Sequence, residues 1–196
     1  MQITVIPLMV LASLLIAGCG GIEKKVDLKY ERLAEAKGGT GELYIAKPVE
    51  RHNIVKKPSG VLTLGVVKGT DADIVTEDSI ADWVMFALFE EFYSAGYNIK
   101  VVPELPESAS KGMKVVILKV AANQEAGLVM ITSSTDLKIS FELWKGNRNV
   151  RNLTIETGAE EKGIDRSPEP VNAALKKSLQ KAIEKAVPDI IKAFEE

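Results

Sequence analysis

A stretch of strict alternation, residues 136 to 143, constrains the fold of this chain more than any other feature. Apolar and polar side chains exchange at every position, and the apolar set is Leu137, Ile139, Phe141 and Leu143. Because successive side chains of a β-strand point to opposite faces, this period predicts a strand with one buried and one hydrated face. The "KGNR" stretch at 145–148 predicts a hairpin turn, after which residues 150–157 return antiparallel. A sheet of this kind needs cover on one face.

Two segments with helical spacing supply that cover. Residues 80–96 carry apolar side chains at intervals of three and four, and residues 167–196 repeat the pattern over a longer stretch. Further strands are predicted at the start of the chain's polar body and between the helices, over 43–46, 60–67, 98–104 and 113–121. The order β-α-β-β-β-β-α predicts an α+β two-layer sandwich, in which a mainly antiparallel sheet of four to six strands carries two long helices on one face.

The head of the chain has a different character from the rest. Nearly all residues of 3–17 are apolar, but this run is shorter than the roughly 20 residues that span a bilayer, so it predicts a secretory signal peptide over 1–18. The sequence "LIAGC" at 15–19 resembles the lipobox of bacterial lipoproteins. That resemblance implies cleavage after Gly18 and a diacylglycerol joined to Cys19 by a thioether. A flexible tether is then predicted over 19–41, and a single α+β domain over 42–196.

Composition excludes several classes of function. The formal charge of −2, from 25 basic and 27 acidic residues, creates no field that would gather nucleic acid. A single cysteine rules out an internal disulfide and any zinc site built from several thiols. The chain is therefore expected to be stabilised by packing, with no nucleic-acid partner.

Candidate catalytic and metal-ligating residues give only weak signals. His52, the single histidine, lies in a charged loop, and no nucleophile motif such as G-x-S-x-G accompanies it. Five acids gather at the start of the first predicted helix without the glycine and terminal glutamate of an EF-hand loop: Asp71, Asp73, Glu77, Asp78 and Asp82. The dipole of a helix stabilises acidic side chains near its first turn, so these acids can be explained without a metal. No catalytic residue, metal or cofactor is predicted, and a hydrolase using Asp71, Asp73 and Glu104 is the least favoured alternative.

The candidate ligand-binding residues are Trp83, Phe86 and Phe89. With Met85 they widen the apolar face of the first predicted helix beyond one stripe, so more than one surface must cover it. One hypothesis places a small apolar ligand, a lipid or glycan fragment, in a pocket between the sheet and this helix. Trp83 lies on an apolar periodic segment, which favours a core residue over a ligand-stacking one. The leading hypothesis is instead an envelope protein partner that contacts the hydrated sheet face or an exposed strand edge.

The mature chain resembles the YajG family of bacterial lipoproteins. The likeness rests mainly on "VNAALKKSLQKAI", residues 171–183, and is supported by the strand "GVLTLGVV", a helix that ends in glycine and the strand "GMKVVILKV". The architecture is also similar to LptE and to PqiC-type auxiliary lipoproteins of lipid-transport systems. This resemblance implies a non-enzymatic protein tethered to the membrane through Cys19. Gly20, in place of an aspartate, implies anchoring at the periplasmic face of the outer membrane, with the inner membrane as the alternative.

Overall fold

The computed structural model describes residues 22–33, 36–51 and 55–196. Its two helices lie where the helical spacing predicts them, α1 at Ile80–Ala95 and α2 at Glu169–Glu195. Ser79 caps α1, because its hydroxyl accepts a hydrogen bond from the backbone N–H of Asp82 at 3.1 Å. Gly96 ends α1 with φ of 111°, a left-handed conformation that glycine adopts without strain. α2 continues through Pro188 as one element.

Ten strands form one mixed sheet in the described part of the chain. Six precede α1: β1 (Glu23–Lys25), β2 (Glu42–Ala46), β3 (Val49–Glu50), β4 (Val55–Lys56), β5 (Leu62–Val67) and β6 (Asp73–Thr76). Four lie between the helices: β7 (Asn98–Val102), β8 (Gly112–Ala126), β9 (Ile131–Lys145) and β10 (Arg148–Gly163). The last three strands, each 15 or 16 residues long, form an antiparallel meander.

The free edge of β8 organises the remaining strands. β2, β3 and β5 pair with this edge one after another, all parallel to β8. β7 lies beyond β2, while β6 and then β1 lie beyond β5. The resulting sheet curls into a half-barrel. A strand of 15 residues, at about 3.3 Å per residue, is long enough to hold several short strands end to end.

The expected two-layer sandwich with a mainly antiparallel sheet of four to six strands is wrong. The sheet has ten strands and mixes parallel with antiparallel pairs. The missed strands are two to four residues long, too short to carry a period of two: β1, β3, β4 and β6. They form because backbone groups of neighbouring strands are available for pairing, which local sequence does not reveal.

The core joins both helices to the sheet. The apolar residues of the alternating stretch are all fully buried in β9, and the polar residues between them are partly or fully exposed, as predicted. α2 packs its apolar stripe against β9 and β10 and also contacts α1. Thr135 and Ser178 share a hydrogen bond within this contact, which satisfies two buried hydroxyls between β9 and α2.

Residues 22–33, which fall within the predicted tether, lie against the domain. We call this segment the strap. Its first residues form β1 beside β6, and Val26 enters the hydrophobic core. Lys24 hydrogen-bonds to Gln124 of β8 and to the Arg166 carbonyl. The strap thus contributes one strand to the sheet and one side chain to the core.

Candidate functional site

A groove lies between the strap and the first half of α1. This open groove has a volume of about 590 Å³ and is lined on one side by strap residues 28–31 and on the other by α1, including Trp83 and Phe86. Leu28 and Trp83 supply apolar wall, whereas Asp78 and Asp82 add carboxylates at the start of the helix. The walls of the groove therefore come from two segments far apart in sequence.

Hydrogen bonds fix the strap against α1. The indole N–H of Trp83 donates to the backbone carbonyl of Lys29 at 3.0 Å. The backbone N–H of Leu28 donates to the Asp78 carboxylate at 2.7 Å. Because buried or partly buried backbone groups need partners, these contacts hold the strap in one position.

Glu91 is the central polar group beneath the strap. Its side chain lies on the buried face of α1, and the residue is only 2% exposed. The carboxylate accepts hydrogen bonds from the Tyr30 hydroxyl at 2.7 Å and from the Leu33 backbone N–H at 2.6 Å. Burial, and next the hydrogen bond to Glu91, raise the pKa of Tyr30 well above its ordinary value. A buried carboxylate of this kind needs both donors, so it ties the strap to the middle of α1.

An aromatic stripe runs along the opposite, solvent-facing side of α1. It consists of Phe86, Phe89 and Tyr93, at positions i, i+3 and i+7, which share one helix face. Phe86 is 52% exposed and Tyr93 is 65% exposed. The rings of Phe89 and Tyr93 stack with centroids 5.9 Å apart and planes within 3°. Three large aromatic side chains at the surface of one helix form an apolar patch of the kind that marks interaction sites.

The three candidate ligand-binding residues all lie on α1, but each has a different environment. Trp83 is buried in the core and forms part of the groove wall. Phe86 lines the same groove and also begins the aromatic stripe, while Phe89 stacks on Tyr93. The groove opens between α1 and the strap rather than between α1 and the sheet. Cys19 and His52 lie outside the described residues.

Tyr93 is the exposed aromatic residue of the stripe that the sequence did not single out. Its signal was the excess width of the apolar face, because a helix with one buried stripe does not need further aromatics at 86, 89 and 93. The structure assigns Ala87, Leu88 and Phe92 to the core and leaves the aromatic stripe outside.

The acids near the start of α1 have separate partners. Asp73 pairs with Lys57 at 2.9 Å, Asp82 lies 3.5 Å from Lys47, and Glu77 pairs with Lys25 of the strap. Across residues 22–33, 36–51 and 55–196, no group of three or more His, Cys, Asp or Glu side chains is placed to hold a metal ion. Two of these acids instead hold the strap, since Asp78 also accepts from Leu28.

The acids of the hydrolase alternative are distributed over the sheet. Asp73 begins β6, whereas Glu104 follows β7, and β5, β8 and β2 lie between those two strands in the sheet order. Neighbouring strands are about 4.8 Å apart, so these two positions do not form an adjacent carboxylate pair within the sheet.

Within the part of the chain that the structure describes, no helix is both long and apolar enough to cross a bilayer.

The fold is thus a curled mixed sheet of ten strands that pairs a long meander with short parallel strands and packs against two helices. Protein XCC0632 from Xanthomonas campestris, assigned to the family model DUF330, shares this fold with a TM-score of 0.56. The two chains are 14% identical, and the likeness covers 88% of this chain and 97% of that one. At this identity the likeness shows the fold alone.

Two further solved structures resemble the chain more weakly. A protein described as a neuraminyllactose-binding hemagglutinin homologue from Helicobacter pylori has a TM-score of 0.48 at 11% identity, covering 87% of this chain and 96% of that one. Lipoprotein GNA1162 from Neisseria meningitidis has a TM-score of 0.39 at 9% identity, covering 76% and 99%. No family model matches this chain, and no curated protein matches its sequence. Bacterial lipoproteins are among the structural neighbours, and neither structure is described as a YajG protein.

Proposed function

We propose that this protein is a lipid-anchored, non-enzymatic binding or assembly module of the bacterial cell envelope, of the YajG type, and that the aromatic stripe on α1 binds an envelope protein partner. Cys19, with its lipobox, provides the membrane tether, at the periplasmic face of the outer membrane. A single acyl chain holds a protein only marginally, at about 0.8 kcal/mol per buried methylene, whereas a diacylglycerol holds it firmly. The anchor fixes the location, and the aromatic stripe supplies the contact.

The exposure of Phe86, Phe89 and Tyr93 on a rigid helix carries this proposal. The opposite face of α1 is packed in the core, so the helix presents the stripe without rearranging. Aromatic side chains bury a large area with little loss of conformational freedom, and they dominate the centres of protein interfaces. Two acids beside the stripe, the exposed Asp82 and the partly exposed Glu90, would form part of a polar rim.

A small apolar ligand in the groove is the second candidate. The volume of about 590 Å³ falls in the range of small-molecule sites, and Leu28, Trp83 and Phe86 supply apolar surface. Mass spectrometry of the protein under native conditions, taken directly from cells, would then detect a lipid or glycan fragment bound to it. A role as an auxiliary subunit of a lipid-transport complex combines both candidates.

Photocrosslinking in living cells tests the protein partner. A benzoylphenylalanine introduced at Phe86 or at Tyr93 should produce one discrete crosslinked species with an envelope protein. The matched control is Asn152, an exposed residue of β10. This strand contacts β9 and α2, whereas the aromatic stripe lies on α1. Equal crosslinking from all three positions, or none from the two helix positions, contradicts the proposal. Recovery of the same species should also fall in the double variant Phe86→Ser with Tyr93→Ser.

A further inference from the structure

The two hairpin turns of the long meander have opposite character. The turn between β9 and β10 is polar and charged, with Lys145, Asn147 and Arg148. The turn between β8 and β9, residues 127–130, reads Gly-Leu-Val-Met, and we call it the apolar tip. Leu128 is fully exposed and Val129 is 87% exposed. The chain carries no charge from residue 126 to residue 135. An antiparallel meander places its successive turns at opposite ends, so one end of the sheet is apolar and the other is charged.

Two more exposed apolar residues lie at the end of the sheet that holds the apolar tip. Gly163, the last residue of β10, pairs with Ile131 beside the tip, and Ile164 follows it with 90% exposure. Ile22 precedes β1 and is also exposed. These side chains belong to three separate segments, so local sequence does not explain why they gather at one end.

The strand register places Ile22 near the tip. Glu23 of β1 is level with Asp73 of β6, which is level with Val66 of β5, which in turn is level with Asn123 of β8. β1 runs away from the tip, so the residues before Glu23 lie on the tip side. Ile22 is therefore level with Gln124.

The chain length before Ile22 brings the anchor to the same end. Cys19 and Ile22 are separated by Gly20 and Gly21, and three peptide units span at most about 11 Å. Leu128 lies four residues beyond Gln124 along the chain, which corresponds to at most roughly 13 Å at about 3.3 Å per residue. A lipid on Cys19 and the side chain of Leu128 can thus reach the same plane.

We propose that the apolar tip is a membrane-docking element, and that Leu128, Val129 and Met130 insert into the lipid surface to which Cys19 anchors the protein. This inference rests on the proposed function, since the anchor at Cys19 sets which end of the sheet faces the bilayer. It fixes the orientation of the domain, with the charged turn at 145–148 pointing away from the membrane.

Apolar insertion, rather than attraction of charge, drives the docking. Charges of both signs stand behind the tip, and Lys68 pairs with Glu125 at 2.7 Å. Asp165 and Arg166 follow Ile164 and likewise oppose each other in sign. The docked state should therefore persist when the salt concentration is raised, because salt screens exposed charges and leaves apolar burial in place.

The test uses the full chain, isolated from bacterial membranes and reconstituted into vesicles of phosphatidylethanolamine and phosphatidylglycerol. Lipidation consumes the thiol of Cys19, the single cysteine, so an introduced cysteine can be labelled alone. An environment-sensitive dye is placed at Val129→Cys or, as the matched control at the opposite turn, at Asn147→Cys. The dye at 129 should shift to the blue and be quenched by nitroxide-bearing lipids, and the dye at 147 should do neither.

A second variant tests the chemistry of the contact. Adding Leu128→Ser and Met130→Ser to the labelled Val129→Cys protein should abolish the blue shift and the lipid quenching while the protein still floats with the vesicles. Both residues are solvent-exposed in the structure, so the fold does not depend on them.

The outcomes separate the docking proposal from the proposed function. If intact mass shows lipid on Cys19 and the protein floats, but the dye at 129 stays in water, the docking proposal alone fails. Shielding of 129 from aqueous iodide without quenching by the lipids also overturns it, because the tip then contacts protein. An unmodified Cys19 removes the anchor and overturns both.

Discussion

The carboxylate of Glu195 joins the end of α2 to the starts of three strands. It accepts hydrogen bonds from the Lys111 ammonium at 2.6 Å, the Tyr97 hydroxyl at 2.8 Å and the Thr40 hydroxyl at 2.9 Å. Lys111 directly precedes β8, Tyr97 directly precedes β7, and Thr40 lies two residues before β2. Burial by itself raises the pKa of Glu195, but the hydrogen bonds from these groups outweigh it and lower the pKa from 4.5 to about 2.

Replacing Glu195 by glutamine removes the charge and keeps the shape. A pKa that is lower in the folded than in the unfolded protein stabilises the folded state above pH 4.5, and this stabilisation is lost as the pH falls from 4.5 toward 2. The full shift corresponds to roughly 3 kcal/mol at about 1.4 kcal/mol per pKa unit. The side chain keeps 28% of its exposure, so solvent screening reduces the expected loss to about 1–2 kcal/mol at pH 7.

Urea unfolding of both proteins, followed by circular dichroism between pH 7 and pH 3, measures this difference. The free energies of unfolding should differ by about 1–2 kcal/mol at pH 7, and this difference should shrink to roughly half by pH 3, since the folded-state pKa is about 2. Glu196→Gln is the matched control, because the carboxylate of Glu196 lies 3.7 Å from the Lys192 ammonium with both side chains mostly exposed. Its effect should stay below about 0.5 kcal/mol. A difference that does not change with pH would refute the reasoning.

Two other substitutions test the sheet and the strap, by the same unfolding measurement. Gly65→Ala should destabilise the protein by more than about 2 kcal/mol, because a Cβ there would lie 1.7 Å from the Ala122 carbonyl oxygen of β8. Thr63→Val should be neutral or stabilising, because it removes a buried hydroxyl that has no hydrogen-bond partner among the described residues. Tyr30→Phe should cost about 1–3 kcal/mol by leaving the buried Glu91 with one donor fewer. In Tyr44→Phe, where the hydroxyl donates a hydrogen bond to the exposed Glu42, the loss should be below about 0.5 kcal/mol. Equal losses in the two members of either pair would contradict the corresponding assignment.

The long, periodic elements could be predicted from sequence. α1 and the β9–β10 hairpin were expected at their observed positions because a dozen or more side chains repeat one period there, and burial follows that period. The boundary at Gly96 was readable because the chain needs a positive φ at that position. Each of these signals depends on neighbours in sequence.

The candidate site depended on contacts that no local pattern contains. Sequence pointed to Trp83, Phe86 and Phe89 through an apolar face that was too wide, but it did not say which of them the core would take. The strap determines which side of α1 is covered. Its hydrogen bonds with Trp83 and Glu91 hold it over one side of the helix, and the side with the aromatic stripe stays exposed.

The amino-acid sequence by itself determined the lipobox resemblance at Cys19, the two helices and the alternating strands, since each is a property of residues close together in the chain. Only the tertiary structure decided the sheet. The short strands β1, β3, β4 and β6 exist because β8, its neighbours and the turns bring unpaired backbone groups within reach of one another. Strand pairing is a contact between distant segments, so the number of strands and their mixed direction follow from where the chain is packed.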